Sequence, residues 1–185
     1  MRIIAIIPAR GGSKRLINKN VYPLKGKPLI TYTIEACKKS SYIDEIYVSS
    51  DSVEILKIAI ESGAKGVERD KKFADDNTPK IVAVREVLKQ DNIIVDGVPD
   101  IIIIPQANSP QITAEVMDKG FELLINHNLW EVMSADENGI QNAAFRIIRM
   151  EHINNDFLSA HCGFITSNIM DVHTLDDILQ LEKLL

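Results

Sequence analysis

Three stretches of this sequence hold residue types that could do chemistry. The first is Ala9-Arg10-Gly11-Gly12-Ser13-Lys14-Arg15, where two glycines, a hydroxyl and three cations fall within seven residues. Gly11 and Gly12 let the backbone turn sharply and offer no Cβ to block an incoming group. The backbone N–H groups, the Ser13 hydroxyl and the charges of Arg10, Lys14 and Arg15 suit an anion, most readily a polyphosphate. The competing reading is a basic, solvated loop after an edge strand. It ranks second, because open α/β sheets bind ligands at the carboxyl ends of strands and a very apolar run precedes the loop. The loop is neither a Walker A sequence nor a GxGxxG fingerprint. The second stretch is Gln106-Ala107-Asn108-Ser109-Pro110-Gln111-Ile112-Thr113, which follows another apolar run; taken alone, Gln106 and Ser109 read as turn and cap residues. The third, Asp171-Val172-His173-Thr174, sets a carboxylate beside an imidazole. Carboxylate suits Mg²⁺ and a neutral imidazole suits Zn or Mn, while the plainer reading makes Asp171 and Thr174 helix caps.

The elements that must position these stretches can be read from hydrophobic spacing. Ile3 to Ile7 is a continuous apolar run, as expected of a strand buried on both faces of a parallel sheet, and Pro8 should stop its ladder. Asp100 to Pro105 repeats that pattern. Residues 29–39 place Leu29, Ile30, Thr33, Ile34 and Cys37 on one helical face. A strand at 46–48 precedes a helix over 53–62, with Val53, Leu56 and Ile60 inward, Ser52 as its cap and Gly63 ending it. Residues 64–68 read as a third strand. A helix over roughly 79–90 buries Ile81, Val84, Val87 and Leu88, capped by Asp76, Asn77 or Thr78. Another helix runs to about Asn126, strands are expected at 143–148 and 163–166, and a terminal helix turns Ile178, Leu181 and Leu184 inward. Alternating buried strands and helices imply a three-layer α/β/α sandwich with a mainly parallel sheet, Rossmann-like in layout.

Composition narrows the class. At 185 residues the chain suits one domain with a full core, and 45% hydrophobic with 25% charged content is ordinary for a globular protein. A net charge of −5 makes the cationic first loop a local exception and argues against a nucleic-acid binder. No apolar run approaches the ~20 residues of a membrane span. The start, MRIIAIIPAR, does not read as a signal peptide. Cys37 and Cys162 read as free thiols in a reducing cytoplasm.

The run IIPARGGSK with Lys19-Asn20, continued as KNxxPLxGKPLIxYTIEA from Lys19 to Ala36, resembles the cytidylyltransferases that activate acidic sugars. Within them it is most similar to the CMP-N-acylneuraminate synthetases and their relatives acting on other nonulosonic acids. The resemblance implies a nucleotide-diphospho-sugar transferase fold, the substrates CTP and an acidic sugar, and Mg²⁺ as cofactor with Mn²⁺ as second candidate. It assigns the nucleotide to Ala9, Arg10, Gly11, Gly12, Ser13, Lys14, Lys19, Asn20 and Arg69. It assigns the sugar to Gln106, Asn108 and Ser109, the metal to Asp171 and His173, and the catalytic roles to Arg10, Lys14 and Asp171. No residue stands out as a general base. Several positions depart from the family pattern: Asp70 stands for a proline, Ala107 for a proline, Asn108 for a threonine, Gln111-Ile112 for Leu-Arg, and His173 for the second aspartate. The middle region is short, implying a single domain over 1–185 with a dimerisation arm reduced to about 130–160 and a homodimer as an option. Two alternatives stay open: a same-fold nucleotidyltransferase for another sugar or nucleotide, and a non-catalytic nucleotide-binding relative.

Overall fold

A computed structural model of the chain describes residues 1–75, 78–90, 93 and 97–184. Strand β1 (Ile3–Pro8) is an inner strand of a seven-stranded sheet in the order β5-β4-β1-β6-β8-β7-β9. It pairs in parallel with β4 (Glu45–Ser50) and with β6 (Ile101–Pro105), and β4 pairs in parallel with β5 (Lys65–Glu68). A small hairpin, β2 (Pro23–Leu24) with β3 (Lys27–Pro28), follows the first loop. On the far side of β6 the sheet changes character. Strand β8 (Gln141–Arg149) runs antiparallel to both β6 and β7 (Glu131–Ala135), and β9 (Cys162–Thr166) closes the edge parallel to β7.

The alternation of side chains along β1 builds two cores. Ile3, Ala5 and Ile7 face helices α1 (Leu29–Lys39), α2 (Val53–Glu61) and α4 (Ala114–Asn126), meeting Ile30, Ile34, Ile55, Met117 and Phe121. Ile4 and Ile6 face the other way, onto Val84, Val87 and Leu88 of α3 (Lys80–Leu88). Each isoleucine so buried contributes about 1.5–3 kcal/mol of hydrophobic stabilisation. Two apolar faces explain why the strand is apolar throughout, and they make the molecule the expected three-layer α/β/α sandwich. A third, smaller cluster packs helix α5 (Leu175–Leu184) beside the first loop, with Ile178, Leu181 and Val172 against Leu16, Leu24 and Leu29.

Pro8 does end β1, as its last residue and in register with Ser49. Several local expectations are corrected. In α2 the buried residues are Ile55 and Ala59, while Val53 and Ile60 are 83% and 59% exposed. Glu54, Lys57 and Glu61 form the polar stripe of that helix, and Ile55 and Ala59 lie opposite it, while Val53 and Ile60 flank the stripe. In α3, Ala83 is buried and Ile81 only partly so. Thr78 does not cap that helix, which starts after Pro79 without a side-chain cap; Thr78 bonds Asp75 instead. The alternative caps, Asp76 and Asn77, lie outside the described residues. Leu184 is exposed, so α5 rests on Ile178 and Leu181 alone. Strand β7 was not evident from the sequence. Of the stretch 130–160, residues 131–135 and 141–149 are inner strands of the main sheet. Ser52 does cap α2, accepting the Ile55 N–H at 3.4 Å, and Gly63 ends it at φ +90°.

Candidate functional site

The site lies where β1, β4 and β6 end. Beyond β1, the Ala9 N–H still bonds Ser49 O at 2.9 Å, after which the chain leaves the sheet as the first loop. Gly11 donates its N–H to Asp51 Oδ1 at 2.9 Å, so the turn after β4 anchors the loop. This is also why Gly11 must lack a side chain: a Cβ there would sit 3.0 Å from Ser52 Cβ. Neither Gly11 nor Gly12 has a positive φ, so close packing at Gly11, not backbone freedom, is what the structure requires. From the other side, Asn20 donates its side-chain amide to Arg10 O at 2.9 Å and is itself 6% exposed.

This scaffold frames a cleft of about 230 Å³ lined by residues from across the chain. Five cations face it, Arg10, Arg15, Lys19, Arg69 and Lys80, against two carboxylates, Asp75 and Asp171, among the described residues. Ser13, Asn20, Gln106, Asn108 and His173 complete its polar wall. The titration of its groups reflects burial first and like charge second. Lys19 is held below the ordinary lysine value by burial and by Arg15, Lys80 and Arg10, with Asp171 pulling the other way. Lys80 keeps contact with solvent, yet its enclosed position also lowers its pKa, opposed by Asp171. Arg69 is 8% exposed and fixed by bonds to Ser49 Oγ (3.1 Å) and Ser49 O (2.6 Å). Burial lowers its pKa, with Asp51 opposing and Arg10 adding to the shift.

The second loop is organised differently. Asn108 and the backbone of Val172 form a two-way bracket: Val172 N–H donates to Asn108 O at 2.8 Å, and Asn108 Nδ2 donates to Val172 O at 2.9 Å. Gln111 Oε1 accepts the Met170 N–H at 2.9 Å, and the fully buried Ser109 donates its hydroxyl to Asp171 Oδ1. The loop after β6 is thus a dock that delivers Asp171 and His173 to the cleft. Thr113 caps α4 through the Val116 N–H at 3.4 Å, and Ile112 is 4% exposed within the main core. An arginine at position 112 would therefore point into the core, away from the cleft.

At the end of the third stretch, Thr174 caps α5 by accepting the Asp177 N–H, while Asp177 accepts the N–H groups of His173 and Thr174. Asp171 takes no part in that cap. His173 Nδ1 lies 3.0 Å from Arg15 Nη2. A guanidinium can only donate, so Nδ1 accepts and the ring proton sits on Nε2. Burial, Lys19 and Arg15 all hold His173 below its ordinary pKa and keep it neutral. In this arrangement neither ring nitrogen offers a lone pair to a metal unless Arg15 is released. Among the described residues, no group of three acidic, histidine or cysteine side chains is placed to hold a metal ion. The carboxylates that line the cleft among the described residues, Asp171 and Asp75, each accept a hydrogen bond within the protein, from Ser109 and from Thr78.

Of the residues the sequence singled out, Arg10, Ser13, Lys19, Asn20, Arg69, Gln106, Asn108, Asp171 and His173 converge on the cleft. Ala9 and Ser109 are buried behind it, and Gly11, Gly12 and Lys14 lie on the loop outside its lining. Lys80, Phe73, Asp75 and Thr78 were missed. A lysine opening a helix gives no sequence signal until the fold aims that helix at the cleft. Both cysteines are free, and burial pushes the Cys37 thiol up to about 12, so it is inert.

A cytidylyltransferase family profile matches residues 4–163. The chain belongs to the cytidylyltransferase family. Among curated members, it is 38% identical over 141 residues to the pseudaminic acid cytidylyltransferase of Campylobacter jejuni, covering 74% of this chain and 59% of that one. It is 42% identical over 114 residues to the CMP-N,N'-diacetyllegionaminic acid synthase of Legionella pneumophila, covering 60% of this chain and 47% of the relative. The chain thus spans between about half and three fifths of the length of these cytidylyltransferases. Its fold is that of the CMP:2-keto-3-deoxy-manno-octonic acid synthetase solved with CTP, with a TM-score of 0.81 at 15% identity over 100% of this chain and 98% of that one. A manganese complex of Rv0371c from Mycobacterium tuberculosis gives a TM-score of 0.72 at 12% identity, with both chains covered completely. Among the described residues, no helix is long and apolar enough to cross a membrane.

Proposed function

We propose that this chain joins an acidic sugar to CMP, using CTP and releasing pyrophosphate. The observation that carries the reading is the cleft itself: among the described residues it sets five cations against two carboxylates, on a chain whose net charge is −5. Such a surplus calls for a polyanion, and a nucleoside triphosphate supplies one. The named activities of the curated relatives, on pseudaminic and legionaminic acids, support CTP as the nucleotide and a nonulosonic acid as the acceptor.

In this reading Arg10, Ser13, Lys19 and Lys80 hold the triphosphate, and Lys14, beside Ser13 on the exposed part of the loop, joins them. Asn20 and Arg69 stand at the nucleoside side. Gln106 faces the acceptor, whose anomeric hydroxyl attacks the α-phosphorus and gives up its proton to water; the bond to the bridging oxygen breaks and pyrophosphate leaves. The side chains align the reactants and neutralise charge, with no covalent intermediate. Asp171 is the residue to hold Mg²⁺ or Mn²⁺, which when bound would counter the charge on the leaving group.

The test is pyrophosphate release with Mg²⁺, CTP and other nucleotides against a panel of nonulosonic acids and 3-deoxy-manno-octulosonate. Release with CTP and one acid establishes the activity and names the sugar. Silence from folded protein that still binds CTP would turn the reading to a non-catalytic nucleotide binder, which the engagement of His173 by Arg15 favours.

A further inference from the structure

The position at which the family resemblance leads one to expect a carboxylate-binding arginine carries Ile112, and Ile112 is in the core. The acidic group of the acceptor must therefore be met elsewhere. A second cavity, of about 130 Å³, adjoins the nucleotide cleft and shares Pro8, Lys80 and Gln106 with it. Its far wall is made by Gln141, Phe145 and Arg146 of β8. Because β8 is antiparallel to β6, with Arg146 opposite Ile104 and Phe145 opposite Pro105, these residues lie toward the same sheet end as the cleft.

Arg146 is held in place before any ligand arrives. Its Nε donates to Glu131 Oε2 at 2.8 Å and its Nη2 lies 2.5 Å from the same oxygen, while Glu131 is 1% exposed. The other Glu131 oxygen accepts the Ser159 N–H at 2.7 Å. The Nη1 group has no protein partner among the described residues, and the side chain keeps 25% exposure toward the cavity. A buried carboxylate that locks one edge of a guanidinium leaves the other edge fixed and presented. A planar, pre-aimed fork of this kind suits a carboxylate better than a flexible ammonium does.

Resting on the reading of the cleft as a sugar cytidylyltransferase site, we infer that this second cavity is the acceptor subsite and that Arg146, aimed by Glu131, binds the carboxylate of the acidic sugar. Lys80 and Gln106, shared by both cavities, then mark the boundary where the acceptor meets the triphosphate.

The experiment measures steady-state pyrophosphate release for the wild-type chain and for Arg146→Lys, varying the acid and CTP separately. The expected result is a rise in KM for the acid of tenfold or more with KM for CTP within twofold. For the wild type, the methyl ester of the acid should be used at least tenfold less efficiently than the acid, and Arg146→Lys should narrow that gap. If Arg146→Lys does not fold, the double variant Glu131→Gln/Arg146→Met removes the buried charge with its partner, and the same rise is expected of it. An unchanged KM for the acid in a folded variant, or an unchanged preference over the ester, overturns the assignment while leaving the activity standing. A wild-type chain silent with every acid overturns both, and does so before any variant is made.

Discussion

The two ends of the parallel sheet treat their charges in opposite ways. At the end where the strands begin, Arg2 donates to Glu45 through Nε (2.8 Å) and Nη2 (2.6 Å), Lys65 reaches Glu45 at 2.6 Å, and Tyr47 donates its hydroxyl to the same carboxylate at 2.5 Å. Burial alone would raise the Glu45 pKa, but the hydrogen bonds from Lys65, Tyr47 and Arg2 overrule it and bring it down to about 2. Lys65 is correspondingly raised, first by its bond to Glu45. At the end where the strands finish, Lys19 and Lys80 are lowered instead, first because both are enclosed in the cleft, with Arg15, Lys80 and Arg10 adding to the shift of Lys19 and Asp171 opposing both. One end has satisfied its charges internally and serves stability. The other is electrostatically unfinished, and a ligand must complete it.

That contrast can be broken at several points. The largest effect is expected from Asp171→Ala, which should lower pyrophosphate release by about 10²–10³-fold or more while CTP still binds, as judged by calorimetry. Ser109→Ala frees the carboxylate without removing it, and turnover or metal affinity should fall by roughly 10–100-fold, as for other residues that orient a ligating group. Lys19→Met relieves repulsion in the empty cleft and removes one phosphate contact. The KM for CTP should rise by about tenfold or more, while the ligand-free variant melts at the same or a higher temperature than the wild type. A lower melting temperature would mean the cleft is not strained by its own charges.

The smallest effect concerns the opposite end. A carboxyl whose folded pKa lies below its unfolded value stabilises the fold above the unfolded pKa and loses that contribution as pH falls toward the folded one. The melting temperature should therefore decline between about pH 4.5 and 2 in part through Glu45, and Glu45→Gln should flatten that part of the curve. Pyrophosphate release at neutral pH should hardly change.

Legibility in the sequence followed the same division. The parallel half was readable because each buried strand is apolar on both faces and ends in its ligand loop, and α1 matched residues 29–39. Strand β7 was hidden because two of its five buried residues are polar, Glu131 and Ser134. Glu131 is made tolerable by Arg146 on the neighbouring strand, and Ser134 accepts the Phe145 N–H at 3.1 Å near the shift in register after Met133. No local pattern announces a partner that sits on another strand. For the same reason the loop after β1 was read for what it binds, whereas the loop after β6 was read for sugar contacts that Asn108 and Ser109 largely direct to residues 171 and 172 instead.

The bracket between Asn108 and Val172 joins segments 64 residues apart. Its consequence concerns local stability. Residues 170–172 add nothing to the two cores that bury the central isoleucines, so the carboxylate on which turnover is proposed to depend belongs to a separable part of the molecule. A brief local opening there would interrupt activity with the sheet intact. Amide exchange at Val172 should then be faster than in β1 and should slow when CTP is bound.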